Sequence, residues 1–477
     1  MKKWFLSILI YLPVLAYPQE KSFARFTADS SMDHSVISFC LKDAETGSTV
    51  FESNSGSSLI PGSVLKIITS AVALEILGPD HTFKTVFGYS GKTTPRSGKL
   101  DGNIIIKGGG DPALGSENFI EHYDGFADNW VSEITKTGIK RINGRVITDD
   151  SYFDYRPVPS KWLWEDAGNY YGAGAYGLSV FDNTYAIHFN TTDTVHAPLI
   201  TGIYPEECRY VLTNRLTAAG TQDKGFVFAA PYTETASMEG TIPSGSEDFI
   251  LKASIPDPPL VMAKIIDRKL RDSGIMITGQ PTTTRMALIP TENFVRVYET
   301  VSPPLKDIIR VLNHESINLY AEHLVKELGR TSRNRGTTED GLSVIMGFLK
   351  EKGLYRGGLF MEDGSGLSPL NTVTSEQIVE VLRYIKRESR YFDDYISSFP
   401  DPGKEGTLRN YFRDPIFASA LKAKSGSMTR VRAYAGYLTT MSGKNLVFCI
   451  IVNNFDGPSR AVVAHIEEIL KEVIVNR

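Results

Sequence analysis

Ser63-Val64-Leu65-Lys66 puts a hydroxyl and a primary amine three residues apart at the start of an apolar run. On a helix, residues i and i+3 share a face, so the amine can reach the hydroxyl and take its proton. A serine activated this way attacks carbonyl carbons and forms an acyl-enzyme. Ser63 also follows Pro61-Gly62 and opens the helix, where the positive end of the dipole favours developing negative charge. A plain helix-capping role accounts for Ser63 but leaves Lys66 unexplained. A second S-x-x-K, from Ser419 to Lys422, reads into an extended strand, where i and i+3 point to opposite faces.

Serine–lysine acyl-transfer enzymes need two further elements, an S-x-N and a K-[ST]-G. S-x-N occurs at Ser116-Glu117-Asn118, Ser316-Ile317-Asn318 and Ser332-Arg333-Asn334, and any one of these can be a turn or a cap. A literal K-T-G stands at Lys136-Thr137-Gly138, where a lysine in a last helical turn and a glycine just past it read as a helix stop. Lys424-Ser425-Gly426-Ser427 instead precedes the strand-like run Val431 to Thr439. An extended edge there presents a cation, a hydroxyl and backbone groups along a substrate, and Gly426 is expected to allow close backbone approach. The expected catalytic residues are Ser63, Lys66, Ser316, Asn318 and Lys424, with Ser425, Gly426 and Ser427 against the substrate. The rival set of Ser63, Ser116 and Lys136 leaves the C-terminal third without a role.

Ser63-x-x-Lys66, Leu312-Asn313-x-x-Ser316-Ile317-Asn318-Leu319-Tyr320-Ala321-Glu322 and Leu421-x-Ala423-Lys424-Ser425-Gly426-Ser427 resemble the motifs of the class C low-molecular-mass penicillin-binding proteins. These are D-alanyl-D-alanine carboxypeptidases and endopeptidases. Gly110-Asp111-Pro112-x-Leu114, Asp363-Gly364-Ser365-Gly366-Leu367-Ser368 and Gly406-Thr407-Leu408 extend the resemblance over nearly the whole chain. It departs at Ser425, where threonine is usual, and at the atypical linker Asp401 to Glu405. The resemblance implies an α+β fold, a transpeptidase-like domain with an antiparallel sheet flanked by helices, interrupted by a large and mainly β insertion. It also implies peptidoglycan stem peptides as substrate, β-lactams as covalent inhibitors and no cofactor. In that scheme Ser63 is acylated and Lys66 accepts its proton. Ser316 relays the proton, and Asn318 orients Lys66 and holds the substrate. Lys424 and Ser425 bind the terminal carboxylate, and the Ser63 and Ser427 N–H groups form an oxyanion hole.

Trp162-x-Trp164-x-Asp166 resembles a family segment whose aspartate faces the cleft and binds the amino group of the peptide's third residue. The plainer alternative is a surface loop with a partly buried tryptophan pair. Glu165-x-x-x-Asn169 mimics the deacylating loop of class A β-lactamases, but here S-x-N follows that glutamate instead of preceding it, so the match is a coincidence. The rival functions are an S-x-x-K β-lactamase or esterase, and a penicillin-binding protein that no longer hydrolyses peptide.

Several elements must position these groups. A hairpin is expected from Ser35 to Leu41 and Ser48 to Glu52, around Asp43-Ala44-Glu45-Thr46-Gly47. An apolar helix runs from Ser63 to Leu77 and stops at Gly78-Pro79. From about 82 to 290 the texture turns to short strands, with helices near Asn118 to Lys136 and Leu260 to Asp272. Helical periodicity returns at Leu305 to Leu328, Thr338 to Lys352 and Ser375 to Lys386. A strand pair, Val431 to Thr439 and Asn445 to Val452, precedes a last amphipathic helix from Ser459 to Ile474. The expected division is a catalytic domain split into 17–80 and 292–477, with 81–291 inserted.

The 477 residues are 42% hydrophobic and 22% charged, the composition of a folded protein with more than one domain. A net charge of −4 without any Lys/Arg run argues against nucleic acid. Lys2 and Lys3 precede an apolar stretch from Trp4 to Ala16, which reads as a secretory signal over residues 1–16. Export to the periplasm follows, with peripheral membrane association left open. Eight histidines and three cysteines form no metal-ligand spacing, so no metal is expected. Cys40 and Cys449 fall in strand-like runs as buried thiols, within reach of one another only if those strands are neighbours.

Overall fold

The computed structural model describes residues 18–287 and 294–477. The expected signal segment, 1–16, lies outside them. Two pieces of chain far apart in sequence build one antiparallel sheet. Its order is Leu421–Met428, Val431–Thr439, Asn445–Asn453, Val36–Asp43 and Thr49–Ser53. The Asn445–Asn453 strand reads as an almost unbroken apolar run because both of its faces are covered. Val447, Cys449 and Ile451 pack against one core, and Phe448, Ile450 and Val452 against the other. The first core holds the helices Lys66–Leu77, Asn318–Arg333 and Ser375–Glu388; the second holds Pro18–Thr27 and Ser459–Asn476. Each fully buried aliphatic or aromatic side chain contributes about 1.5–3 kcal/mol, so the central strand is a main anchor of the domain.

Cys40 and Cys449 are direct register partners, and both are free, buried thiols. Burial pushes the Cys40 thiol up to about 12 and the Cys449 thiol well above its usual range.

Among the described residues, the segment between the first two motifs carries three sheets of its own. A seven-stranded sheet contains Lys84–Thr94 and Lys99–Lys107, with the helices Phe126–Lys136 and Pro258–Asp272 nearby. Phe294–Val301 pairs with Lys84–Thr94, so this sheet draws on residues after position 291. The other two sheets have three strands each among the described residues. The helix expected from Asn118 to Lys136 is broken at Asp124-Gly125, where Gly125 takes φ +61°. Among the described residues no helix is long and apolar enough to cross a membrane.

Two further departures from the expected elements lie at functional motifs. Ser63 sits in a short 3-10 turn, Gly62–Leu65, that precedes the α-helix Lys66–Leu77. The helix expected from Leu305 to Leu328 is two helices, Leu305–Glu315 and Asn318–Arg333, parted at Ser316-Ile317.

Candidate active site

The Ser63 turn lies against the edge strand Leu421–Met428, and two glycines let the backbones meet. Gly62 has φ +52°, and a Cβ on it would stand 3.0 Å from the Ser427 backbone nitrogen. A Cβ on Gly426 would stand 2.4 Å from the Pro61 carbonyl oxygen. Gly426 does line the cleft, and the room left by its missing side chain is taken by the Pro61 backbone.

Lys66 is fully buried. Its Nζ lies 2.9 Å from Ser63 Oγ, 2.6 Å from Asn318 Oδ1 and 2.8 Å from the Ser365 carbonyl oxygen. An ammonium donates to all three. A neutral amine keeps its two N–H bonds to Asn318 and Ser365 and turns its lone pair to the Ser63 hydroxyl, which is the geometry of a general base. Burial pushes Lys66 down to about 7, against the opposing pull of Asp363 and Glu322.

The Ser365 carbonyl is held from behind. Glu322 accepts hydrogen bonds from the Gly364 and Ser365 N–H groups at 3.1 and 2.8 Å, and Asp363 accepts from Gly366 N at 2.7 Å and Asn371 Nδ2 at 2.8 Å. Burial and the neighbouring Asp363 charge raise the Glu322 carboxyl above its usual range.

Ser316 ends its helix with φ +61°, a left-handed conformation that costs a serine about 1–3 kcal/mol and is retained where the surroundings enforce it. That kink sets Ser316 Oγ 2.9 Å from Lys424 Nζ, which also donates to the Ser425 carbonyl at 3.0 Å. Lys424 is fully buried, and burial together with the Lys66 charge holds its ammonium well below the usual lysine range. Ser425 Oγ donates to Thr407 Oγ1 at 2.8 Å.

Ser63, Ser316, Ser425, Gly426 and Ser427 line one cleft of about 310 Å³; Lys66 and Lys424 join it through their hydrogen bonds to Ser63 and Ser316, and Asn318 through its bond to Lys66. Thr407, Tyr411, Arg432 and Tyr434 also line it. These four had no assigned role in the sequence reading. Arg432 could have been found there, because a tight turn after Met428 puts it opposite Ser427 in the hairpin.

Asp166 does not line this cleft. It is largely buried in a loop of the inserted segment, and burial raises its carboxyl, against the Tyr171 hydroxyl beside it. The same loop touches the surroundings of Lys66 twice: Trp162 Nε1 donates to Asp363 at 2.8 Å, and Asn318 Nδ2 donates to the Tyr171 carbonyl at 2.8 Å.

The decoy motifs have local jobs. Lys136 is exposed, pairs with Glu133 at 2.6 Å and ends its helix before Gly138 at φ +81°. Ser116 caps a 3-10 turn and donates to Asp182 at 2.8 Å. Asn334, at φ +57°, terminates the helix Asn318–Arg333. Lys422 pairs with Asp401.

The chain is similar to known proteins over most of its length. A D-alanyl-D-alanine carboxypeptidase of Actinomadura sp. (strain R39) is 27% identical over 450 residues, 91% of this chain and 81% of that one. Penicillin binding protein 4 of Haemophilus influenzae shares the fold, with a TM-score of 0.79 at 22% identity over 96% of this chain and 98% of that one. The same protein complexed with a β-lactam superposes with a TM-score of 0.76 at 21% identity, covering 95% and 99% of the two chains. The model of the D-Ala-D-Ala carboxypeptidase 3 (S13) family matches residues 19–473. A match over that span shows that this chain belongs to the D-Ala-D-Ala carboxypeptidase 3 (S13) family.

Proposed function

We propose that this chain is a serine-type D-alanyl-D-alanine carboxypeptidase of peptidoglycan stem peptides, with endopeptidase activity on D-amino-acid cross-links, acylated on Ser63 and inhibited covalently by β-lactams. The observation that carries the reading is the buried Lys66 amine, 2.9 Å from Ser63 Oγ and fixed on its other sides by Asn318 and Ser365. Ser63 Oγ attacks the carbonyl carbon of the penultimate D-alanine while its proton passes to neutral Lys66. The oxyanion forms between the Ser63 and Ser427 N–H groups, a role supported by the close approach of Ser427 N to the Gly62–Ser63 backbone. Collapse breaks the C–N bond, and Ser316, hydrogen-bonded to Lys424, relays the proton held by Lys66 to the departing D-alanine nitrogen, which leaves Lys66 neutral for the water step. Water then hydrolyses the ester and returns the Ser63 proton. Lys424 and Ser425 contribute to the carboxylate end of the site, and serine in place of the usual threonine keeps the hydroxyl that donates to Thr407.

We read residues 17–80 and 292–477 as the catalytic domain and 81–291 as the insertion. The pairing of Phe294–Val301 with Lys84–Thr94 favours moving the second boundary to about 301. Asp166 is assigned the third-residue amino group of the stem peptide; the contacts of its loop with Asp363 and Asn318 support a place near the substrate path. A periplasmic location fits the N-terminal signal pattern.

The test is release of D-alanine from an N-acylated tripeptide ending in D-Ala-D-Ala. Turnover by wild type and none by Ser63→Ala supports the reading. Rapid penicillin hydrolysis without D-alanine release points to a β-lactamase, and penicillin labelling with neither activity points to a binding protein.

A further inference from the structure

Arg432 is the register partner of Ser427 across the hairpin, and Tyr434 is the partner of Ser425. Opposed residues in an antiparallel pair share a face, so these four side chains form one wall of the cleft beside Ser63. The Arg432 guanidinium is held by Nη1 donating to Ser427 Oγ and to the Val431 carbonyl at 2.8 Å, and by Nη2 donating to Ser459 Oγ at 2.7 Å. Among the described residues all its hydrogen-bond partners are hydroxyls and carbonyls, and it forms no ion pair.

This cation differs from the two lysines. Lys66 and Lys424 are both drawn toward the neutral form by burial, whereas a guanidinium stays charged in a folded protein. Among the described residues, those lining the cleft include no carboxylate to balance it. Ser427 Oγ already accepts a hydrogen bond from Arg432, which leaves its own proton free to be donated into the cleft.

We propose that Arg432, acting with the Ser427 hydroxyl, reads the free α-carboxylate at the C-terminus of the scissile peptide and biases this site toward releasing a terminal D-alanine over cutting an internal cross-link. The inference rests on the carboxypeptidase reading above and adds a specificity residue to it. A terminal residue brings an anion that pairs with the guanidinium in a partly desolvated wall, where charge-assisted hydrogen bonds are strongest. An internal bond brings no anion there, and the docked chain would cover the cation without satisfying it.

The experiment compares two N-acylated tripeptides, one ending in D-Ala-D-Ala with a free carboxylate and one with that terminus amidated. Wild type, Arg432→Ala and Arg432→Lys are assayed for kcat and KM on both. Wild type is expected to favour the acid. Arg432→Ala is expected to lose roughly ten- to a hundredfold in kcat/KM on the acid, mainly through KM, and much less on the amide, as for a lost hydrogen bond to a charged group. Arg432→Lys keeps the charge and should recover part of the preference. Equal losses on both substrates would make Arg432 a structural prop and overturn the inference, as would an unchanged acid rate. Wild type that cleaves acid and amide equally well overturns this inference alone. Wild type that releases D-alanine from neither overturns the carboxypeptidase reading and this inference with it.

Discussion

The titration of Lys66 gives the sharpest quantitative prediction. Burial pushes its amine down to about 7, whereas an unperturbed lysine near 10.4 would be neutral in only about one molecule in 2,500 at pH 7. With a value near 7 the neutral fraction is about 9% at pH 6, about 50% at pH 7 and about 91% at pH 8. Only the neutral amine can take the Ser63 proton, so the acylation rate constant follows that fraction. The assay is the pseudo-first-order rate of labelling by a fluorescent penicillin from pH 5.5 to 8.5. A rise of about tenfold between pH 6 and 8, levelling above 8, is expected from the position of this group. Lys66→Met, which keeps the buried stem and removes the base, should slow acylation by about 10²–10⁴ and abolish the limb. Acylation that is flat from pH 6 to 8 in wild type, or a Lys66→Met enzyme within tenfold of wild type, would refute the assignment of Lys66 as the base.

Three further outcomes are expected. Asn318→Asp places a carboxylate where Oδ1 now lies 2.6 Å from Lys66 Nζ, which favours the ammonium and should move the acidic limb of the acylation profile up by one pH unit or more. Gly426→Ala puts a Cβ 2.4 Å from the Pro61 carbonyl; overpacking of this kind costs about 1–3 kcal/mol, and both a lower Tm and slowed labelling of Ser63 are expected by thermal melting and gel fluorescence. His323 is buried between Ser179 Oγ and the Gly110 carbonyl, both at 2.9 Å, and burial pushes it down to about 3. Between pH 3 and 6.5 the unfolded chain therefore binds a proton that the folded one does not, so stability is lost as pH falls through that window, by up to about tenfold in the folding constant per unit. Urea melts at pH 7 and 4.5 should show a smaller acid loss in His323→Gln than in wild type.

Much of the fold was legible because its elements are locally consistent. The apolar run before Gly78-Pro79, the hairpin around Asp43 to Gly47 and the strands at 431–439 and 445–453 all formed close to the expected residues. The neighbourhood of Cys40 and Cys449 was readable only as a condition, since periodicity does not say which strands pair. The breaks at Ser316 and Gly125 were missed for one reason: helical periodicity carries through a single residue of positive φ without interruption. Context separated Lys424 from Lys136, because a lysine before a helix-ending glycine reads differently from one inside a strand. The support around Lys66 was not readable, because the Ser365 carbonyl is a backbone atom delivered by a loop 299 residues away, and any residue type offers one. The Phe294–Val301 strand escaped notice because its burial alternates weakly and its partner lies in the first part of the inserted segment.

The most direct test of the central claim is the location of the penicillin adduct by peptide mass spectrometry, run on wild type, Lys424→Ala and Lys136→Ala. The structure predicts one adduct, on Ser63, which is lost or sharply reduced in Lys424→Ala and unchanged in Lys136→Ala, whose lysine pairs with Glu133 on the surface. An adduct on any other serine, or one that survives Lys424→Ala and disappears in Lys136→Ala, would contradict the account.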